Sequence, residues 1–284
     1  MDRRDVFTTV DGLEIHHTAW GDNSASPVVC VHGLSRNGRD FDPIAAELAS
    51  TYHVLCPDLP GRGLSEWCED TSRYTNASMI ELLITWLDTL NLDSVRWIGT
   101  SMGAGLGMAL AGGPLHDRIT KLVINDMCPD PGADAEAAAI ERIATYVGTP
   151  PVVDTISAFE SYLREIYGDR VSPMTDEEYQ RMAITSSRRT DDGRVTANYD
   201  PSIVDGLNQT TTEESGADPW TVYESIDADI CLVQGTESAI CPDATFERMT
   251  SVHPDCTTLR VPCGHHPALN TPEQISPISN FLAD

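Results

Sequence analysis

The chain has almost no lysine. Lys121 is the single lysine, and 18 basic residues stand against 44 acidic ones, so the formal net charge is −26. Nucleic acids and anionic membranes bind basic patches, and this composition therefore argues against both as partners. The acidic residues are spread along the chain, which favours adaptation to high salt, because salt screens the repulsion between carboxylates. The alternative is an acidic surface that serves only ordinary solubility.

The chain also has little that resembles a membrane or export segment. Residues 1–12 contain no apolar core of a signal peptide. The longest uncharged stretch, 97–115, contains several glycines, a serine, a threonine and a proline. This composition favours a buried strand, turn and helix over a membrane span.

The chain has no C-x-x-C pattern among its eight cysteines. Cys30, Cys56 and Cys231 lie inside apolar, strand-like runs, where cysteine usually serves as a small core residue. We therefore predict free thiols and a cytoplasmic protein.

Short apolar runs alternate with helical patterns along most of the chain. An Asp11-Gly12 turn between segments 6–10 and 13–18 predicts a hairpin at the start. Near-continuous apolar strands predict a parallel sheet that is covered on both faces, which gives an α/β fold with a doubly wound, mostly parallel sheet. The predicted buried strands are 27–33, 52–58, 95–99, 121–125, 230–235 and, more weakly, 257–262. The predicted helices between them are 41–50, 76–90 and 244–252.

This alternation stops after strand six. Residues 127–220 are polar, with helical patterns at 135–147, 153–167 and 175–186. We interpret this segment as a helical cap over the carboxyl edge of the sheet. The predicted domains are thus a core of residues 1–126 and 221–284 and a cap of residues 127–220.

A serine between two glycines follows the strand 95–99. Gly99 and Gly103 permit a sharp turn from strand to helix, which would lift the Ser101 hydroxyl out of the sheet. The alternative is a glycine-rich helix start with a surface serine. A dinucleotide loop is excluded, because no glycine stands three residues after Gly105.

Five short motifs follow one another along nearly the whole chain: VCVHGL at 29–34, PDLPGRG at 57–63, GTSMG at 99–103, LVIND at 122–126 and GHHP at 264–267. In their order and spacing they resemble the α/β-hydrolase family, in its serine-nucleophile, esterase-like branch. The cap after strand six is also as in the family.

The resemblance implies a role for each matching residue. Ser101 would be the nucleophile and His265 the general base, with the adjacent His266 as the alternative if the register slips by one residue. The backbone N–H groups of Leu34 and Met102 would form the oxyanion hole. His32 is expected to be structural.

The carboxylate that should pair with the general base departs from the family pattern. The family most often places an Asp in the loop after its seventh strand, which is the segment 230–235 here. This chain has Ser238 and Ala239 in that loop. Asp126, at the end of strand six, is the preferred substitute, because a branch of the family takes its acid from that position. Glu237, in the expected loop, is the alternative acid. A chain without a functional acid is the third possibility.

A serine nucleophile implies acyl transfer to water, and the predicted activity is that of a cofactor-free carboxylesterase acting on a small-molecule ester. C–C bond hydrolysis, lactone opening or a lyase reaction of the same fold are the enzymatic alternatives, and a hydrolase-like ligand-binding protein is the alternative of another class. No metal site is predicted, because the histidines lack ligand spacing. No oligomeric state is predicted.

Two other groups near the expected site have ordinary interpretations. Arg36 and Asp40 are expected to form an ion pair rather than to bind substrate. Three methionines are expected to fill the core rather than to line an acyl pocket; they are Met102, Met127 and Met182.

Overall fold

The computed structural model describes residues 3–130, 145–206 and 218–283. The strands in them are β1 Arg4–Val10, β2 Leu13–Trp20, β3 Pro27–Val31, β4 His53–Pro57, β5 Val95–Thr100, β6 Ile119–Asn125, β7 Ser187–Arg189, β8 Val195–Ala197, β9 Asp229–Gly235 and β10 Thr257–Val261. Eight of them form one sheet in the order β1-β2-β4-β3-β5-β6-β9-β10. The β1–β2 and β2–β4 pairs are antiparallel, and every other pair in the sheet is parallel. The predicted doubly wound, mostly parallel sheet is confirmed.

Helices cover both faces of the sheet. Successive strand residues point to opposite sides, and in the central strands the side chains on both sides are mostly apolar. In β3, Val29 packs in the core on one face and Cys30 in the core on the other. The helices are α1 Asp42–Leu48, α2 Asn76–Thr89, α3 Met102–Ala111, α4 Ile156–Tyr167, α5 Asp176–Thr185, α6 Pro219–Glu224, α7 Asp243–Val252 and α8 Pro272–Ala283. The first core contains residues of α2 and α3, and the second contains residues of α1 and α8.

The helix at 76–90 shows how the sequence specifies one of these elements. The Thr75 side chain accepts a hydrogen bond from the Ser78 N–H and so caps α2. Met79, Leu83 and Trp86 recur at helical spacing, and all three are buried. Apolar periodicity and a capping residue therefore agree on the same helix.

All eight cysteines are free thiols. Cys30, Cys56 and Cys231 are buried in the core that faces α1 and α8. No helix in the described parts of the chain has both the length and the apolar character that a membrane crossing requires.

The segment predicted to be the cap contains α4 and α5 and also a short hairpin of β7 and β8, which a purely helical interpretation did not include. Most of the predicted helix 135–147 lies outside the described residues. Two backbone contacts join this segment to the loop after β4: Gly63 N–H donates to Asn198 O, and Asp200 N–H donates to Gly61 O. The boundaries at 127 and 220 stay a prediction.

Candidate active site

Ser101 lies at the sharp turn between β5 and α3. Its φ of 52° and ψ of −118° are strained for a residue with a side chain. A Cβ on Gly99 would collide with the backbone of Gly103, and a Cβ on Gly103 would collide with the carbonyl of Val31. The two glycines therefore allow the turn by permitting close backbone approach, as the sequence pattern predicts.

His265 reaches Ser101 from the loop after β10. Its Nε2 lies 2.8 Å from Ser101 Oγ, although 164 residues separate the two in the chain. The imidazole remains about a quarter exposed. A neutral His265 that accepts from the serine hydroxyl at Nε2 must donate from Nδ1, so the partner of Nδ1 decides how the ring is held.

That partner is Asp126. The Nδ1 of His265 lies 2.7 Å from Asp126 Oδ2, and the carboxylate is fully buried. The second oxygen, Oδ1, accepts a hydrogen bond from the Gly235 N–H at 2.8 Å. The Asp126 N–H donates to Val233 O at 2.8 Å, which ties the residue to the neighbouring strand β9. The three side chains thus form one continuous hydrogen-bonded series.

The alternative acid and the alternative base lie elsewhere. Glu237 is exposed, and its backbone N–H donates to Cys263 O. Ser238 is buried, and its Oγ accepts from the Ile240 N–H. Burial, together with the charge of Arg36, lowers the pKa of His266 to about 4. At neutral pH, His266 is therefore an uncharged, partly buried imidazole.

The two predicted oxyanion donors flank the serine. Met102 is the first residue of α3, whose N-terminus points its free N–H groups toward developing negative charge. Leu34 follows Gly33, where a Cβ would lie 3.6 Å from Ser101 Cβ. Neither N–H donates to another group within the described ranges. The role of both N–H groups as oxyanion donors stays a prediction, with which the absence of an internal acceptor in the described chain agrees.

His32 holds the loop that contains Leu34, as predicted. Its Nδ1 lies 2.7 Å from Gly33 O, and its Nε2 accepts from the Leu59 N–H at 3.0 Å. Burial lowers the pKa of His32 to about 4, so the ring stays neutral and keeps this arrangement.

Arg62 also holds this loop, a contact that the sequence pattern does not predict. The guanidinium is fully buried and has no carboxylate partner among the described residues. Its Nε donates to Leu34 O at 2.8 Å, and its Nη1 donates to Pro60 O at 2.7 Å. Burial lowers the pKa of Arg62 to about 10. The sequence shows only an arginine between two glycines, and its partner Leu34 is 28 residues away, so no local pattern indicated this contact.

Arg36 and Asp40 form the expected ion pair. Both are largely buried, and the Arg36 Nε donates to Asp40 Oδ2 at 2.7 Å. Of the three methionines, Met182 is buried in the core, while Met102 and Met127 are partly buried against it. In the described part of the chain, no three His, Cys, Asp or Glu side chains come together as metal ligands do.

Comparisons with known proteins agree with this architecture. A model of the alpha/beta hydrolase family matches residues 28–277. The chain is 34% identical over 271 residues to a 3-hydroxybutyrate-oligomer hydrolase of Cupriavidus necator, and the match covers 93% of this chain and 90% of that protein. It is 28% identical over 227 residues to an esterase of Mycobacterium tuberculosis, a match that covers 79% and 70% of the two chains.

A solved structure shows the same likeness in three dimensions. An alpha/beta hydrolase from Novosphingobium aromaticivorans superimposes with a TM-score of 0.88 at 31% identity, over 99% of this chain and 98% of that one. The family match extends over most of the chain and includes the strand ends that carry Ser101, Asp126 and His265. The chain therefore belongs to the alpha/beta hydrolase family.

Proposed function

We propose that this hydrolase cleaves carboxylic esters through an acyl-serine intermediate. The observation that carries the proposal is the hydrogen-bonded series from Ser101 Oγ through His265 to Asp126. In that arrangement His265 is oriented to accept the serine proton, and the buried carboxylate stabilises the imidazolium that forms.

The reaction then proceeds in two halves. Ser101 Oγ attacks the ester carbonyl while its proton passes to His265 Nε2, and the Leu34 and Met102 N–H groups receive the oxyanion. The C–O bond to the alcohol breaks as His265 returns the proton to the leaving oxygen. Water, deprotonated by His265, attacks the acyl-serine, and the acid leaves as Ser101 regains its proton.

One of the relatives favours a particular group of esters. The Cupriavidus necator relative is named for hydrolysis of 3-hydroxybutyrate oligomers, and the similarity extends over 93% of this chain. We therefore propose short oligomers of hydroxy acids as the substrate class to test first, with simple short-chain esters beside them. No cofactor enters this mechanism, because each proton and each negative charge has a place among the chain's own groups.

The experiment measures hydrolysis of p-nitrophenyl butyrate and of the 3-hydroxybutyrate dimer by the wild type and by Ser101→Ala. We expect turnover by the wild type and a loss of about 10⁴-fold or more in the variant. Labelling of the wild type by a fluorophosphonate, but not of Ser101→Ala, identifies the nucleophile. Ser94→Ala, at a surface serine before β5, is the control and should keep wild-type rates.

Each negative outcome has a specific meaning. Labelling of Ser101 without turnover of either ester would contradict the esterase proposal and support a ligand-binding protein. Equal hydrolysis by the wild type and Ser101→Ala would contradict the serine mechanism itself.

A further inference from the structure

Asn125 is the last residue of β6 and directly precedes Asp126. Its side chain is completely buried. It belongs to the LVIND motif at 122–126, of which the proposed mechanism uses only the final carboxylate. A buried amide therefore lies beside the catalytic acid without a role in the reaction as written.

The amide nitrogen of Asn125 donates to two segments of the chain. Its Nδ2 lies 3.0 Å from Thr100 Oγ1 and 2.9 Å from Pro267 O. Thr100 immediately precedes Ser101, and Pro267 is the second residue after His265. One side chain thus connects the strand end that carries the nucleophile to the loop that carries the histidine.

Only a primary amide of this size can make both bonds from one atom. The Pro267 carbonyl can only accept, so this contact identifies the NH₂ end of the Asn125 amide. The other end, Oδ1, has no partner among the described residues. The polar contacts of this side chain are therefore the two bonds that its nitrogen donates.

The sheet already fixes Asn125 relative to Ser101. Asn125 and Thr100 are paired in register on the neighbouring parallel strands β6 and β5. The Ser101 N–H also donates to Asn125 O at 3.0 Å. The amide is thus a fixed point beside the nucleophile, and the histidine loop is the part that must be brought to it.

The histidine loop has to cross the sheet to reach the serine. In the order β5-β6-β9-β10, the strand before His265 lies three positions from the strand before Ser101. Adjacent strands are about 4.8 Å apart, so the loop spans roughly 14 Å. Asp126 holds the imidazole ring through Nδ1, whereas Asn125 holds the backbone of the loop at Pro267. The two restraints act on different parts of the loop.

We propose that Asn125 is a positioning residue, whose amide sets the distance between the Ser101 hydroxyl and the His265 imidazole by bonding the histidine loop to the end of β5. This inference rests on the proposed ester hydrolysis and deepens it by naming the residue that brings the proton donor to its acceptor. The proton passes across the 2.8 Å between Oγ and Nε2. A misplacement of about 1 Å at such a contact can slow a reaction roughly 100-fold.

The test replaces the amide with an apolar group of similar shape, Asn125→Leu. We expect kcat for p-nitrophenyl butyrate to fall by about 10- to 100-fold with KM near the wild-type value, because the displaced histidine impairs proton transfer rather than binding. The loss stays partial, since the cap also holds the loop: the His266 N–H donates to Arg170 O at 3.0 Å.

Gln234→Met is the matched control, because Gln234 is a buried amide with the same set of contacts on β9. Its Nε2 donates to Cys241 O at 2.9 Å and to Asp243 Oδ1 at 3.1 Å. Its Oε1 likewise has no partner in the described parts of the chain. Both of its bonds go to the segment after β9. Tm should therefore fall by a similar amount in the two variants, while kcat stays near wild type in Gln234→Met.

Thr100→Val tests the connection from its other end. Valine keeps the shape and removes the hydroxyl that accepts from Asn125 Nδ2. We expect kcat to fall by about 3- to 10-fold, the effect of one neutral hydrogen bond. The double variant with Asn125→Leu should lose no more than Asn125→Leu alone, because the hydroxyl acts through the amide. If Asn125→Leu does not fold, an unchanged kcat in Thr100→Val overturns the proposal.

Labelling by a fluorophosphonate provides a readout that does not depend on ester turnover. Its rate constant reports how well His265 activates Ser101, and it should fall in Asn125→Leu by the same factor as kcat. An equal loss of rate in Asn125→Leu and Gln234→Met, or a rise in KM alone, overturns the positioning role while wild-type turnover keeps the esterase proposal. A wild type that hydrolyses neither ester but is labelled more slowly in Asn125→Leu alone supports the positioning role and contradicts the esterase.

Discussion

The carboxylate of Asp126 connects two neighbouring strand ends, because its Oδ1 accepts the backbone N–H of Gly235 at 2.8 Å. Its other oxygen is thereby directed at His265 Nδ1, 2.7 Å away. Glu237, two residues after Gly235, is exposed. The end of β6, rather than the loop after β9, therefore supplies the carboxylate that contacts the imidazole.

This arrangement predicts which acid matters for catalysis. Asp126→Asn should lower kcat for p-nitrophenyl butyrate by about 10³- to 10⁴-fold, because an amide can hold the wrong histidine tautomer and cannot stabilise an imidazolium. Glu237→Gln is the matched control and should stay near the wild-type rate. A large loss in Glu237→Gln, with a small one in Asp126→Asn, would move the acid to the loop after β9.

The turn at Ser101 predicts opposite effects for two glycines on the same helix. Gly103→Ala should lower the free energy of unfolding by about 1–3 kcal/mol or more, because its Cβ would overlap the Val31 carbonyl. Gly105→Ala should raise it by roughly 0.5–1 kcal/mol, since alanine favours the helix and its Cβ would lie 3.7 Å from Met127 Cε. Urea unfolding of both variants measures the difference. Equal stability of the two would show that the backbone is not closely packed at Gly103.

The hydrogen bond from Arg62 to Leu34 O predicts that Arg62 positions the loop that contains Leu34, a proposed oxyanion donor. Arg62→Met should lower kcat by about 10- to 100-fold with KM near wild type, because a displaced oxyanion donor weakens only transition-state binding. Affinity for a trifluoromethyl ketone, which forms an oxyanion on the serine, should fall by the same factor as kcat/KM.

Tyr74→Phe is the control for loss of stability alone. Tyr74 packs beside Arg62, and its hydroxyl donates to Asp200 Oδ2 at 2.7 Å without touching Leu34. Its loss should lower Tm while kcat stays near wild type. If the two variants lose kcat equally, Arg62 acts only through stability.

Buried histidines predict loss of stability in mild acid. Burial lowers the pKa of His17 and of His32 from 6.5 to about 4. The unfolded chain therefore binds these protons more readily than the folded one. The free energy of unfolding is therefore unaffected by these groups above pH 6.5. As the pH falls toward 4, it decreases by about 3 kcal/mol for each group.

His17 allows a test of this pH dependence. Burial is the main cause of its low pKa, His16 and His53 lower it further, and Asp58 opposes them. His17→Leu should make the acid limb of the unfolding free energy shallower by up to about 1.4 kcal/mol per pH unit, the effect of one proton. His116→Asn, at an exposed histidine, should leave the slope unchanged. An unchanged slope in His17→Leu would contradict this assignment.

The net charge of −26 predicts that salt stabilises the fold. Tm should rise between about 0.1 M and about 1 M KCl, because the screening length falls from roughly 10 Å to 3 Å over that range. Sucrose, which is excluded from protein surfaces without screening charge, is the control. A Tm that rises in sucrose but not in KCl would contradict adaptation to high salt.

Much of the fold follows from local sequence. The apolar runs predict the parallel strands because strands buried on both faces have no polar side to present. Thr75 and the spacing of Met79, Leu83 and Trp86 predict α2 because capping and periodicity agree. The hairpin of β7 and β8 was not predicted, because each strand has only three residues and shows no clear alternation.

The sequence alone determined the family resemblance and the position of Ser101, and it left Asp126, Glu237 or no carboxylate at all as the possible catalytic acid. Gly99 and Gly103 identify the turn because their effect is local and steric. The choice of Asp126 over Glu237 as the partner of His265 depended on which strands are neighbours and where each side chain faces. The link from Arg62 to Leu34 and the two bonds of the Asn125 amide also appeared only in the tertiary structure. Both depend on contacts between segments far apart in the chain, and no local pattern of residues encodes such contacts.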